Sequence, residues 1–370
     1  MSLQVSYTKQ LIFGLILLVI LLLVIEIIAI IILDRNDSCY VGLPLSGLYP
    51  QYSDNFLKSL CNDYKSIIDY DTPYKHLEPN QKTETVNINS YGFRGIEFNQ
   101  EKDLNTYRII LLGGSTMYGL HATSESTTIP GYLQNRFDTE TLDVNVEVIN
   151  AGINGASSFD EINSLNDKLL KLDPDMIVVY DGGNDLVNSI KNENELKSWP
   201  NETEHFFKKF RNYYKTTQFF EYLDRIFQKK IMNDQGISKS EITEDVIPKK
   251  VEIWKNRWTK ACKQNEINGI DTVITIQPYL GVGNKVLTEW ENMIKKQYNQ
   301  IDVSGAFPLL INELMEMEEI CTKTIDLTNV FDNENETIFY DLIHVGDAGN
   351  EIVAEEMFKN ILSIIIEKNS

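Results

Sequence analysis

The sequence predicts an α/β protein in which one transmembrane helix precedes a parallel sheet of five strands. Short apolar runs predict the strands, and they lie at residues 108–112, 146–149, 176–180, 271–276 and 323–328. Amphipathic stretches, for example residues 158–171 and 348–366, separate most of these runs and predict helices. Strands that alternate with helices form parallel sheets covered by helices on both faces, and such strands are apolar along their whole length.

Residues 11–33, LIFGLILLVILLLVIEIIAIIIL, predict the transmembrane helix. The run has 23 residues and one charged side chain, Glu26, whereas about 20 apolar residues suffice to cross a bilayer. It is longer than the apolar core of a cleaved signal peptide, and no small-residue cleavage pattern follows it, which favours a retained anchor. Basic residues in the two flanks differ only slightly, and on that slight bias we expect residues 1–10 in the cytoplasm and the bulk of the chain outside.

The composition disfavours several classes of partner. The 370 residues include 34 basic and 54 acidic ones, a formal net charge of -20. Nucleic acids and anionic lipid headgroups are therefore not expected as partners, because phosphate binding requires a basic surface. Hydrophobic residues make up 42% of the chain, enough for a full core.

Four cysteines, Cys39, Cys61, Cys262 and Cys321, allow three sets of two disulfides. A bond between Cys39 and Cys61 would close a small loop beside the transmembrane helix. A bond between Cys262 and Cys321 would link two segments that each precede a predicted strand. Disulfides would agree with a domain outside the cytoplasm, and four buried thiols are the alternative.

Two parts of the chain interrupt the α/β pattern. Residues 34–105 show little periodicity and are interpreted as a stalk and an irregular lead-in, with a short edge strand within 86–98. Residues 106–370 are expected to form the α/β domain. A charged and aromatic helical insertion at about 187–246 breaks its alternation, and its aromatic side chains are either ordinary core or a lid over a binding site.

Glycine turns follow the first three predicted strands. Ser115 stands behind Gly113 and Gly114 in GGSTMYG, Gly155 lies in NAGINGASS, and Asn184 lies in YDGGNDL. The carboxyl ends of parallel strands meet at one edge of the sheet, where ligands bind. A solvent-facing hydroxyl, an unobstructed backbone N–H and a side-chain amide at that edge are the parts of an acyl-transfer site, a nucleophile with an oxyanion hole. The alternative is three tight turns, with Asn184 capping a helix.

A base for Ser115 is predicted after the last strand. His344 lies in FYDLIHVGDAGNE, three residues behind Asp341. With this spacing the carboxylate can hold one ring nitrogen, which leaves the other free to accept the serine proton. His121, close behind the Ser115 turn, is expected to cover a loop.

Together these residues resemble the SGNH or GDSL hydrolase superfamily, over roughly residues 86–366. The name-giving positions are Ser115, Gly155, Asn184 and His344, and Asp341 completes the triad. GGNDL and DLIHVGDAGN carry the resemblance most strongly, while VNINSYGFRG and QPYLGVGNK are similar to a membrane-anchored branch of the superfamily. The resemblance implies a flavodoxin-like, three-layer α/β/α fold with strand order 2-1-3-4-5. One departure is the glycine at position 114, where the family usually has aspartate.

The resemblance implies a membrane-anchored serine ester hydrolase outside the cytoplasm, acting on acyl esters of a glycan or a lipid. Ser115, His344 and Asp341 would form the catalytic triad, and the oxyanion hole would consist of the N–H groups of Ser115 and Gly155 with the amide of Asn184. No cofactor or metal is expected, and the acidic stretch DNENE at 332–336 is interpreted as a solvated loop rather than a calcium site. Two alternatives remain: an O-acyltransferase that uses the same triad on a glycan, and a non-enzymatic envelope protein with the same fold. The oligomeric state is not predicted.

Overall fold

The computed structural model describes residues 6–35, 45–71, 73–191, 203, 246–299 and 302–369. The chain divides into two compact units, Met1–Leu43 with Asn201–Ser238 and Pro44–Pro200 with Lys239–Ser370. The predicted insertion at 187–246 lies almost entirely outside the described residues, so its two interpretations stay open.

The first unit is described mainly through helix α1, Tyr7–Arg35. Its stretch Tyr7–Ala29 is long and apolar enough to cross a membrane. The side chains from Leu11 to Leu23 are exposed by half or more of their surface, apart from the glycine among them. The structure therefore has the apolar helix that the sequence predicts.

The second unit begins with short elements that precede the sheet. These are a 3-10 turn at Leu45–Gly47, helix α2 at Asp54–Ser66, and the two-residue strands β1 (Asp69–Tyr70), β2 (His76–Leu77), β3 (Gln81–Lys82) and β4 (Asn87–Ile88). β1 pairs with β2 and β3 pairs with β4, both antiparallel. The predicted edge strand at 86–98 is thus reduced to β4, because Asn89 Oδ1 accepts the N–H groups of Tyr91 and Phe93 and turns the chain.

Five parallel strands form the central sheet. They are β5 (Thr106–Gly113), β6 (Asn145–Asn150), β7 (Met176–Asp181), β8 (Asp271–Ile276) and β9 (Lys323–Asp326), in the order β6-β5-β7-β8-β9. This is the order 2-1-3-4-5 that the resemblance implies. β7, at the centre, is buried along its whole length, as a strand covered on both faces must be. β9 ends two residues early because Asp326 accepts the N–H and hydroxyl of Thr328.

Helices occupy the connections between the strands, and the last helix follows β9. They are α3 (Ser115–Tyr118), α4 (Ile129–Asp138), α5 (Ser158–Asp167), α6 (Gly183–Val187), α7 (Ile247–Ile267), α8 (Glu289–Gln297), α9 (Phe307–Glu316) and α10 (Asp347–Asn369). α4 packs against α10 and β6, whereas α7 packs against α5, α9 and β8. The predicted three-layer α/β/α fold is confirmed.

A disulfide joins Cys262 on α7 to Cys321, two residues before β9. The Cα atoms are 5.0 Å apart, and the bond ties a covering helix to the edge strand of the sheet. This is one of the two bonds that the sequence analysis describes. Cys39 lies outside the described residues, so its bond with Cys61 stays a prediction.

Candidate active site

Ser115, His344 and Asp341 lie in one hydrogen-bonded row. Ser115 Oγ is 2.6 Å from His344 Nε2, and His344 Nδ1 is 2.7 Å from Asp341 Oδ2. The second carboxylate oxygen, Asp341 Oδ1, accepts the N–H groups of Ile343 and His344 at 2.9 and 2.7 Å. The carboxylate thus holds both the backbone and the ring of His344. The structure brings together the three residues that the sequence predicts, although 229 positions separate Ser115 from His344.

Close packing explains why a glycine ends the strand before Ser115. A Cβ on Gly113 would lie 2.6 Å from the carbonyl oxygen of Tyr180 on β7 and 2.7 Å from the Cβ of Met117. A side chain would therefore push β5 away from β7, or α3 away from the sheet. Only 6% of the Ser115 surface is exposed, so the hydroxyl is less open to solvent than a solvent-facing turn predicts.

The predicted oxyanion donors surround the same turn. Asn184 Nδ2 donates one hydrogen to the carbonyl oxygen of Ala156 at 2.7 Å, and an amide nitrogen carries a second hydrogen. Gly155, one residue before Ala156, has φ +68°, a conformation that favours glycine. The N–H of Ser115 opens α3, so it has no acceptor inside the helix.

The departure at position 114 has a steric explanation. A Cβ on Gly114 would overlap the amide nitrogen of Asn184 and lie 3.3 Å from the carbonyl oxygen of Ala156. The amide group therefore occupies the space that a side chain at position 114 would need. In this chain glycine is the residue that lets Asn184 lie against the turn that carries Ser115, the predicted nucleophile.

The charges near the site favour an ionised Asp341 and a neutral His121. Burial would raise the pKa of Asp341, but the His344 ring and the hydrogen bonds to the carboxylate hold it below its ordinary value. Burial, with a smaller effect of the nearby His344 ring, lowers the pKa of His121 to about 3. His121 was expected only to cover a loop, yet its Nδ1 lies 3.0 Å from the hydroxyl of Tyr340, beside the triad.

Residues of the lead-in support the turn that carries Ser115, and the sequence analysis assigns them no role. The buried guanidinium of Arg94 donates to the carbonyl oxygens of Tyr118 and Gly119, at 3.3 and 2.5 Å, at the end of α3. The hydroxyl of Tyr49 lies 2.9 Å from the carbonyl oxygen of His121 and 3.0 Å from Asp347 Oδ1. Arg94 stands in VNINSYGFRG, a segment that resembles the membrane-anchored branch of the superfamily, whereas no local pattern marks Tyr49. The predicted domain boundary at residue 105 stays a prediction.

Three buried carboxyl groups lie at the carboxyl end of β7 and on the helices α6 and α5. Asp181 accepts the indole N–H groups of Trp254 and Trp258 at 3.0 and 3.2 Å, and Asp185 accepts the N–H of Ser158. Glu161 on α5 is 2% exposed, and neither of its carboxylate oxygens has a hydrogen-bond partner among the described residues. Burial raises the pKa of all three, and repulsion from the two aspartates raises that of Glu161 further.

Other features of the described residues do not belong to the candidate site. A cavity of about 500 Å³ lies beside the edge strand β6, and none of the three triad residues lines it. Within the part of the chain that the structure describes, no group of three or more His, Cys, Asp or Glu side chains is suited to hold a metal ion. In the acidic stretch at 332–336, the carboxylate of Asp332 accepts the backbone and side-chain N–H groups of Asn284.

Comparison with known proteins identifies a family. Residues 111–294 match the model of the GDSL-like Lipase/Acylhydrolase family. No curated protein matches the sequence. Among solved structures, an acetyl xylan esterase, AlAXEase, is 16% identical and aligns over 69% of this chain and 99% of its own, with a TM-score of 0.41. The acetylxylan esterase Axe2 from Geobacillus stearothermophilus is 12% identical over 69% of this chain and 94% of its own, with a TM-score of 0.37.

Proposed function

Because the chain belongs to the GDSL-like lipase/acylhydrolase family, we propose that it is a membrane-anchored serine ester hydrolase that uses Ser115, His344 and Asp341. The contact of 2.6 Å between Ser115 Oγ and His344 Nε2 carries the proposal. A general base must lie within about 2.6–3.2 Å of the atom whose proton it accepts, and this pair meets that requirement. The bond from His344 Nδ1 to Asp341 orients the ring, so that Nε2 is the nitrogen that accepts the proton.

The proposed reaction has two halves. His344 Nε2 takes the proton of Ser115 as Oγ attacks the ester carbonyl carbon, and Asp341 stabilises the imidazolium. The tetrahedral intermediate collapses, and the leaving alkoxide receives that proton and departs as an alcohol. Water, deprotonated by His344, then attacks the acyl-enzyme, and the carboxylic acid leaves while Ser115 recovers its proton.

Three donors would stabilise the negative charge on the substrate oxygen. They are the N–H groups of Ser115 and Gly155 and the remaining amide hydrogen of Asn184. Removing one such donor typically costs about 2.7–4 kcal/mol of transition-state stabilisation. The open N–H of Ser115 at the start of α3 and the position of the Asn184 amide against Gly114 support this assignment.

Two observations support an anchored enzyme with its catalytic unit outside the cytoplasm. An exposed apolar helix surface as long as that of α1 is stable in a bilayer and costly in water. Disulfides persist in oxidising compartments, and Cys262 is bonded to Cys321. We therefore propose that the N-terminus is cytoplasmic and that the substrate is an acyl ester of a glycan or lipid near the membrane surface.

The test uses the full-length protein in detergent with p-nitrophenyl esters of short and long acyl chains. Activity is expected in the wild type and in Ser164→Ala, which removes a serine of similar burial on α5, and is expected to vanish in Ser115→Ala. A fluorophosphonate should label the wild type and not Ser115→Ala. Absence of both turnover and labelling in the wild type would refute the proposal, and labelling without turnover would point to the acyltransferase.

A further inference from the structure

The ring of Tyr340 stacks on the ring of the proposed base. The centroids of Tyr340 and His344 are 5.6 Å apart, and their planes differ by 12°. Tyr340 is 4% exposed, and its N–H donates to the carbonyl oxygen of His344 at 3.1 Å. Residues 340–344 therefore form a loop that this backbone hydrogen bond closes, with the rings of its first and last residues stacked.

The hydroxyl of Tyr340 connects this loop to the segment behind the nucleophile. It lies 3.0 Å from His121 Nδ1 and 3.4 Å from the carbonyl oxygen of Leu120. The N–H of Leu120 donates in turn to the carbonyl oxygen of Ser115 at 2.9 Å. A closed path of contacts thus runs from Ser115 through Leu120 and Tyr340 to His344, and back to Ser115 Oγ.

His121 is itself held in place on its other sides. Its ring contacts that of Tyr64 edge-on at a centroid distance of 5.7 Å, and its carbonyl oxygen lies 2.9 Å from the hydroxyl of Tyr49. The backbone of His121 has φ +60°, a conformation uncommon for a residue with a side chain. The partner of the Tyr340 hydroxyl is therefore a fixed point and not a mobile surface group.

From this closed path we propose that Tyr340 is a positioning residue for His344. Its ring sets the plane of the imidazole and lies against the positive charge that the imidazole acquires when it takes the serine proton, while its hydroxyl ties the base loop to the nucleophile turn. The proposal rests on the hydrolase function proposed above, since it assigns Tyr340 a role only through His344.

The physical reason is that the hydrogen bond to Asp341 fixes the imidazole at only one edge. Asp341 holds the imidazole at Nδ1, and rotation about that contact would carry Nε2 away from Ser115. A misplacement of about 1 Å in an active site can cost about 10²-fold in rate. A cation against an aromatic face is also favoured, by an amount that corresponds to roughly 2- to 30-fold in rate.

Two variants separate the ring from the hydroxyl. Tyr340→Leu removes the stack, and we expect kcat to fall about 10²-fold with KM within about 2-fold of wild type. Tyr340→Phe keeps the stack and loses the tether, so its kcat should fall only about 3- to 10-fold. Tyr107→Phe is the matched control, because Tyr107 is equally buried and its hydroxyl also donates a hydrogen bond, to Asp271 at 2.9 Å. Tyr107 lies near the start of β5, whereas Ser115 follows the end of that strand. The control variant should keep wild-type kcat.

The measurements are ester turnover and the second-order rate of fluorophosphonate labelling, both on the full-length protein in detergent. Labelling should slow in the order wild type, Tyr340→Phe, Tyr340→Leu. A double-mutant cycle combines Tyr340→Phe with His121→Asn, because asparagine tolerates the backbone conformation of residue 121. The double variant should lose no more activity than the worse of the two single variants.

Each outcome decides the proposal. Wild-type labelling and turnover in Tyr340→Leu, or an equal loss in Tyr107→Phe, would overturn the role of Tyr340 and leave the nucleophile assignment intact. If Tyr340→Leu does not fold, Tyr340→Phe tests the hydroxyl tether: a loss confined to kcat supports the proposal, and wild-type kcat overturns it, since the proposal requires both the ring and the hydroxyl. A wild type that neither turns over esters nor reacts with the fluorophosphonate would refute the proposed function, and the role of Tyr340 with it.

Discussion

Replacing Gly114 by alanine tests how the candidate site is assembled, because the change adds one carbon atom. The new Cβ would overlap the amide nitrogen of Asn184 and approach the carbonyl oxygen of Ala156. The φ of Gly114 is -80°, so the φ angle does not itself demand glycine, and we attribute the cost to the overlap. We expect the amide of Asn184 to move off Ala156 and away from the proposed oxyanion.

The size of the effect follows from the overlap. Carbon and nitrogen atoms pack at about 3.5–4.0 Å, so the amide must move by about 1 Å or more to restore a normal separation. A shift of that size removes the contact of one oxyanion donor, which typically costs about 10²–10³-fold in kcat. Because the ground-state ester gains little from the donor, KM should stay within about 3-fold of wild type.

The assay is steady-state turnover of a p-nitrophenyl ester by the full-length protein, with thermal unfolding as a check on folding. Gly305→Ala is the control, since a Cβ there meets nothing within 4 Å and should leave kcat unchanged. Asn184→Ala should lose as much as Gly114→Ala, and the double variant should lose no more than either single one. A folded Gly114→Ala with kcat within about 3-fold of wild type would refute the steric argument.

Three further predictions concern other parts of the α/β unit. Asp341→Asn should lower kcat by up to about 10⁴-fold with little change in KM, because the ring of His344 loses the acceptor at Nδ1; wild-type kcat would contradict the triad. Burial raises the pKa of the Glu161 carboxyl in the folded chain. The unfolded chain therefore loses the carboxyl proton at a lower pH than the folded chain does. The folded state consequently loses stability as the pH rises above about 4.3, the ordinary pKa of a glutamate. Urea unfolding at pH 5 and pH 8 should therefore show a smaller loss of stability in Glu161→Gln than in wild type, and equal losses would contradict the assignment. The Cys262–Cys321 bond closes a loop with a sequence separation of 59. In urea titrations, replacing both cysteines by alanine should lower the free energy of unfolding by about 4 kcal/mol. A change under about 1 kcal/mol would contradict this loop-entropy argument.

The order and number of the main strands could be predicted because strands buried on both faces must be apolar throughout. β5 and β7 show this directly, and the alternation of such runs with helices leaves few possible sheets. Strand ends were less predictable. At β9 and at 86–98, a single polar side chain, Asp326 or Asn89, captures nearby N–H groups and turns the chain, and that competition depends on local conformation rather than on periodicity.

The candidate site divides in the same way. The sequence by itself determined the candidate residues: Ser115 behind a glycine turn, and Asp341 with His344 at a spacing that closes one hydrogen bond within a single loop. These features are local, so a short stretch of sequence contains them. Their meeting was inferred from the topology, since the carboxyl ends of parallel strands share one edge of the sheet.

Only the tertiary structure decided what surrounds these residues. The overlap between a side chain at Gly114 and the amide of Asn184, and the contacts that connect Tyr340 to His121, join segments far apart in the chain. No periodicity or spacing encodes such contacts, because they depend on how separate loops pack at the sheet edge to within a few tenths of an ångström. The hydrogen bonds from Arg94 in the lead-in to the carbonyl oxygens at the end of α3 depend on the same close packing.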